Sequence, residues 1–166
     1  MNPKAFIPLS YGVYILTSWD GDRPTGCTVN CACQITAEPA SMMVSVNKEN
    51  FTHDCIRKTG LFAVSVLAED SKPIIVGTFG FRSGRNFDKF GKIPYEIRDG
   101  MPVIPDACSY LVCKVTGETD TPTHTMFLGE VTGGDVLRDA KPMTYEYYHT
   151  VLKGKTQKNA PTYRES

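Results

Sequence analysis

Residues 25–53 read TGCTVNCACQITAEPASMMVSVNKENFTH, and this stretch decides the fold. Its first part alternates as a strand does. Cys27, Val29, Cys31, Cys33 and Ile35 fall on one side of an extended chain, and Thr28, Asn30, Ala32 and Gln34 on the other. The expectation is one strand over 25–36 with an apolar, cysteine-rich face and a small, polar face. A short connection holding Pro39 leads to a second alternating run over 41–47, which contains Met43, Val44, Ser45, Val46 and Asn47. The character then changes at Lys48-Glu49-Asn50-Phe51-Thr52-His53. Asn50 or Thr52 can cap a helix running through about residue 58, and Gly60 stops it.

Outward from this stretch the pattern stays short-stranded. YGVYILTS over 11–18 is aromatic and β-branched and ends at the turn signal Asp20-Gly21-Asp22. LFAVSVL over 61–67 is a further strand, and 71–79 fits a short helix with Pro73 in its first turn. Strands are expected over 95–97, 108–116 and 125–131, with Gly133-Gly134-Asp135 as a hairpin turn before Val136. Between them, GFRSGRNFDKFG over 80–91 is too long for a tight turn and too polar for core, so it is expected to cover something. Many short strands with about two helices make a mainly β fold, a barrel or a sandwich. Residues 1–152 form the expected domain, and 153–166, polar and basic, read as a linker or frayed tail.

Composition bounds the function. The 166 residues carry 18 Lys+Arg against 18 Asp+Glu, so nothing argues for nucleic acid or an acidic membrane as partner, and any anion site is local. No run approaches the ~20 apolar residues of a membrane span. Residues 1–10 lack a signal-peptide pattern, so a cytoplasmic location is expected. The six cysteines contain no Cys-x-x-Cys, which argues against a rubredoxin-type iron site or a zinc knuckle. They read as small buried hydrophobes in a reducing compartment. The three scattered histidines make no metal set, and neither GxGxxG nor GxxxxGK[ST] occurs.

Several polar residues carry a sharper possibility. Thr28, Asn30 and Gln34 can meet the polar edge of a flat ligand, although alternation alone equally describes a solvent-facing strand side. Lys48 and Thr52 flank a helix start, where backbone N–H groups, the helix dipole, a hydroxyl and an ammonium suit a phosphate; plain capping explains them as well. Arg82, Arg85 and Lys89 place three cations in one loop, again with a solvated loop as the ordinary alternative. His124 stands at a strand start. A flat ring with a phosphate tail, as in flavin mononucleotide (FMN), satisfies these groups together.

YGVYILTS, GCTVNCACQIT, SVNKENFTH, GLFAVSVL, SGRNFDKFG and HTMFLGEV, taken in order from about residue 11 to 149, resemble the flavin reductase-like family of FMN-binding split barrels. The likeness is nearest to flavoredoxin and NADH:rubredoxin-type flavoproteins. It implies a Greek-key split β-barrel, a homodimer, and FMN held between barrel and helix. The flavin contacts it implies fall on Thr28, Val29 (through its backbone), Asn30, Ser45, Asn47, Lys48 and Thr52. Lys89 and His124 match further flavin or nucleotide positions, as do Arg82 and Arg85 less closely. The implied chemistry is hydride transfer from NADH or NADPH through FMN to rubredoxin, another small redox protein or a free acceptor. An FMN electron carrier with no nicotinamide site of its own is the alternative; a haem-binding split barrel is a further one, for which the histidines offer no clear axial pocket. Similar multidomain proteins continue from such a tail into a rubredoxin domain, whose paired Cys-x-x-Cys is not in this sequence.

Overall fold

A computed structural model describes residues 1–156; the tail reading of 157–166 lies outside the described residues. Nine strands and three α-helices follow a short 3-10 turn at Pro3–Phe6. β1 (Tyr14–Asp20), β2 (Arg23–Val29), β3 (Ala32–Ala37), β4 (Ala40–Asn47), β5 (Leu61–Leu67), β8 (Ala107–Asp120) and β9 (His124–Val136) form one antiparallel sheet in the order β2-β1-β5-β8-β9-β4-β3. β6 (Glu96–Arg98) pairs with β7 (Met101–Val103) beside it. The helices are α1 (Phe51–Thr59), α2 (Pro73–Phe81) and α3 (Tyr145–Thr150). None is long and apolar enough to cross a membrane.

The expected single strand over 25–36 is two strands. The chain breaks at Asn30 and Cys31, and the halves take opposite edges of the seven-stranded sheet. Three peptide units from Val29 to Ala32 span at most about 11 Å. The two edges must therefore meet, and the sheet curls into a barrel. The break also corrects the cysteine reading. Cys27 and Val29 point into the barrel core, while Cys31 is half-buried and Cys33 and Ile35 are exposed on an edge strand. All six cysteines are free.

Two apolar layers line β1, whose alternate residues serve each. Leu16 packs inside the barrel with Val44, Val46, Phe62, Val64, Cys113 and Phe127. Ile15 packs outside it with Val76, Phe79, Phe90 and Ile104, so α2 and the loop after it cover that face. A fully buried Phe in such a core contributes about 1.5–3 kcal/mol by area. α1 starts and stops close to the expected places, with Asn50 as N-cap and Gly60 as a left-handed C-cap (φ 68°) whose N–H donates to Ile56 O at 2.8 Å.

Gly133-Gly134-Asp135 is not a turn but part of β9, paired with Val112, Leu111 and Tyr110. The glycines allow close approach instead. A Cβ on Gly133 would stand 2.5 Å from the Asp99 carboxylate, which accepts a 2.8 Å hydrogen bond from the Tyr110 hydroxyl. Residues 153–156, expected as part of the tail, pack against α3.

Gly129 on β9 faces the barrel interior, where a Cβ would lie 2.9 Å from both the Phe62 ring and Cys113 Cβ. Gly129→Val should lower the unfolding free energy by about 1–3 kcal/mol through overpacking. Urea denaturation with an unchanged m-value is the check.

Candidate functional site

The site forms where the barrel closes. β2 ends in Thr28 and Val29, Asn30 begins the crossing to β3, and β4 carries Ser45 and Asn47 on the far side of the seam. His124 pairs with Asn47 at the start of β9. All six line one cleft, whose other walls are Val76, Phe79 and Phe81 of α2 and Tyr145 and Tyr148 of α3. Gln34, on β3, is exposed and does not line it. Val29 points into the core, 6 % exposed, so its backbone is what it offers.

The polar groups are held in place. Asn30 is buried, and the Thr28 hydroxyl donates to Val76 O at 3.3 Å, tying β2 to α2. Asn47 Oδ1 accepts from Glu49 N at 2.9 Å, which fixes the turn into α1. His124 Nδ1 is bonded to Thr123 Oγ1 at 2.9 Å, and partial burial pulls the ring below the ordinary histidine value. A neutral imidazole beside the cleft follows from that desolvation.

A second cavity adjoins the first and shares Cys27, Asn47, Asn50, Gly80 and Phe81 with it. Its own lining includes Phe51 and Thr52 of the α1 start, Arg82, Ser83, Gly84 and Lys89. Asn50 caps α1 with extended backbone (φ −71°, ψ 130°) but makes no side-chain capping bond, so the helix N-terminus opens toward the cavity. Thr52 is 1 % exposed, and its hydroxyl bonds the Cys27 thiol, which burial pushes up in pKa.

Lys89 is 4 % exposed and donates to Gly26 O at 2.7 Å and Phe79 O at 3.1 Å. Burial pulls its ammonium below the ordinary lysine range. Under the same loop, Thr25 Oγ1 is buried with no hydrogen-bond partner, and a Cβ on Gly84 would stand 2.6 Å from it. The recess thus gathers Arg82, Lys89 and the start of α1, with Glu49 as the acidic residue in its lining.

Lys48 and Arg85 line neither cavity. The Lys48 ammonium stands 3.5 Å from Asp120 Oδ1. Arg85 donates to Asp54 Oδ2 at 2.7 Å and covers the Phe51 ring at 5.0 Å. Both sit in one charged network around α1. Thr125 Oγ1 donates to Asp120 Oδ1 (2.6 Å) and accepts from buried His53 Nε2 (2.8 Å), while Arg57 forks onto Asp120 at 2.9 Å. Arg82, the least securely expected of the loop cations, is the arginine that lines the recess. Sequence reasoning missed Tyr145, Tyr148, Phe81 and Val76, which come from distant segments with no local signal.

The flavin reductase-like domain family matches residues 8–155, and the chain belongs to that family, one of NAD(P)H:flavin oxidoreductases. A protein of Moorella thermoacetica described as a high molecular weight rubredoxin is 43% identical over 165 residues, 98% of this chain and 72% of that protein. A ferric-chelate reductase (NAD(P)H) of Archaeoglobus fulgidus is 40% identical over 168 residues, 100% of this chain and 99% of that one. Among solved structures, an NADH:FAD oxidoreductase of Streptomyces globisporus superposes with a TM-score of 0.77 at 25% identity, covering 85% of this chain and 84% of that one. The mainly β fold with few short helices is that of the split-barrel flavin reductases.

The network around α1 has an acid limit. The Thr125 hydroxyl, then the Arg57 guanidinium, hold the Asp120 carboxyl down to about 2 from 3.8. The folded value lies below the unfolded one, so the stability tied to this group is complete above about pH 4 and lost as pH falls through 2. Asp120→Asn should flatten that part of an acid-unfolding curve, read by circular dichroism.

Proposed function

We propose that the chain is an FMN-dependent NAD(P)H oxidoreductase that passes electrons onward to a small redox protein or a free acceptor. One observation carries this. A cleft with amide and hydroxyl edges and apolar walls opens directly into a recess built from a helix N-terminus and a buried lysine. The pair of compartments suits a flat heterocycle and a phosphate joined by a short linker. The open α1 start fits such an anion.

When bound, the flavin supplies the hydride-accepting and electron-releasing chemistry. The protein orients and shields. Thr28, Asn30, Ser45 and Asn47, with the backbone at Val29, hold the ring edge, and Thr52, Lys89 and Arg82 hold the phosphate. Lys48 and Arg85 brace α1 from outside, through Asp120 and Asp54. Val76, Phe79 and Phe81 keep water from the ring face. His124 lines the cleft, where burial disfavours its charged form, and it positions the incoming nicotinamide. No protein acid or base is needed for hydride transfer; alignment of two rings is.

The acceptor is proposed from the relatives' descriptions, which name a rubredoxin and a ferric chelate reductase. A homodimer and a cytoplasmic location belong to the same proposal. Mixing the FMN-loaded protein anaerobically with NADH or NADPH should bleach the flavin absorbance, and adding rubredoxin or ferric citrate should restore it. No bleaching would favour the electron carrier over the enzyme, and no flavin absorbance at all would overturn both.

Two variants test the roles. Arg82→Ala with Thr52→Ala should weaken FMN binding at least tenfold more than riboflavin binding, since only FMN carries the phosphate; equal weakening in fluorescence titrations refutes the phosphate assignment. His124→Ala should slow anaerobic flavin reduction on the order of tenfold while FMN stays bound. Loss of FMN would make His124 a flavin ligand instead.

A further inference from the structure

Residues 153–156 fold back on α3 and form a roof that brings Lys155 and Thr156 to the rim of the ring cleft. After α3, Lys153 turns the chain back in the left-handed region (φ 53°), and Gly154 lies flat on the Tyr148 ring. A Cβ there would stand 2.1 Å from the ring, so only glycine fits the seat. Three hydrogen bonds hold it. Gly154 N–H donates to Tyr148 O (2.9 Å), His149 Nδ1 donates to Gly154 O (3.0 Å), and the Tyr148 hydroxyl donates to Lys155 O (3.1 Å). α3 is itself fixed by Thr144, whose hydroxyl accepts from Tyr147 N at 3.1 Å.

This strap brings Lys155 and Thr156 into the lining of the cleft that also holds Asn47 and His124. Lys155 is the one lysine or arginine among the described residues lining that cleft, and no carboxylate lines it. The recess has its own cations in Lys89 and Arg82. A flavin with its phosphate in the recess leaves Lys155 as the lysine of the ring cleft, with no carboxylate in that described lining.

We infer that Lys155, presented by the Gly154 seat, recognises the phosphate groups of the nicotinamide dinucleotide and makes the strap its docking subsite. The inference rests on the cleft being a flavin site. It assigns the strap to the electron donor, and Lys155 to binding rather than to the transfer itself. Gly154 and Tyr148 act through Lys155 as positioning residues.

The test uses the FMN-loaded protein with three donors: NADH, NADPH and dihydronicotinamide riboside, which carries no phosphate. Lys155→Ala should raise KM for both dinucleotides on the order of tenfold, the loss of one charge-assisted contact, with kcat little changed. KM for the riboside and the affinity for FMN should not move. Lys155→Arg should restore most of the loss, and Gly154→Val should mimic Lys155→Ala. Added salt should raise the dinucleotide KM of the parent protein and leave that of Lys155→Ala flat.

An equal rise in KM for the riboside would overturn the proposal, leaving Lys155 a mere wall of the cleft. Weaker FMN binding in Lys155→Ala would overturn it too, by making Lys155 a flavin ligand. A parent protein that all three donors reduce, with Lys155→Ala indistinguishable from it, overturns this proposal alone. A parent protein that none of them reduces overturns the functional reading and this proposal together.

Discussion

Asn30 and Cys31 join opposite edges of a seven-stranded sheet, and that two-residue joint is the constraint on which the molecule depends. A chain that short cannot cross an open sheet, so the sheet must close. Closure sets the end of β2 against β4, and the polar residues of both strands become neighbours across a seam. β4 then runs directly into α1, which sets a helix N-terminus beside the same seam. The ring cleft and the recess follow from this one crossing. Their polar lining is what a barrel seam leaves where ladder pairing stops.

Charge is arranged around the seam in two ways. Outside, Arg57, Lys48, Asp120, Thr125 and His53 form an exposed-to-buried chain that fixes α1 to the ends of β8 and β9. Exposed pairs in such a chain are individually worth about 0–1 kcal/mol, so its value is geometric: it sets the angle at which the helix start faces the recess. Inside, Lys89 is desolvated and committed to two carbonyls, one on β2 and one at the end of α2. It ties strand to helix at the wall of the recess. Arg82 and Lys89 thereby bring two basic residues to the recess, with Glu49 beside them in its lining.

Local signals were legible in the sequence, and long-range ones were not. The α1 boundaries followed from Asn50 and Gly60, and the alternation of Ser45 and Asn47 put them on one face as the structure does. The break at Asn30 left no mark, because alternation continues through it in composition while the backbone changes edges. Gly133-Gly134 misled, since glycine serves close approach as well as turns; only the position of Asp99 distinguishes the two. Arg85 and Lys48 carried the right charge in the right segment, yet Asp54 and Asp120, far away or on the other helix face, claim them. The residues of α3 offered no pattern at all, being six residues that matter only by where they fold back.

The two sides of the ring cleft differ in how they are fastened. Its floor belongs to the hydrogen-bonded seven-stranded sheet, and shifting it means breaking strand ladders. Its roof rests on Gly154 and three hydrogen bonds. Motion at the cleft is therefore one-sided: on the nanosecond-to-microsecond scale of loop displacement the roof can lift while the floor stays fixed. Adjusting the cleft to a bulkier occupant falls to Gly154 and Lys155, not to the strands that carry Thr28 and Asn47.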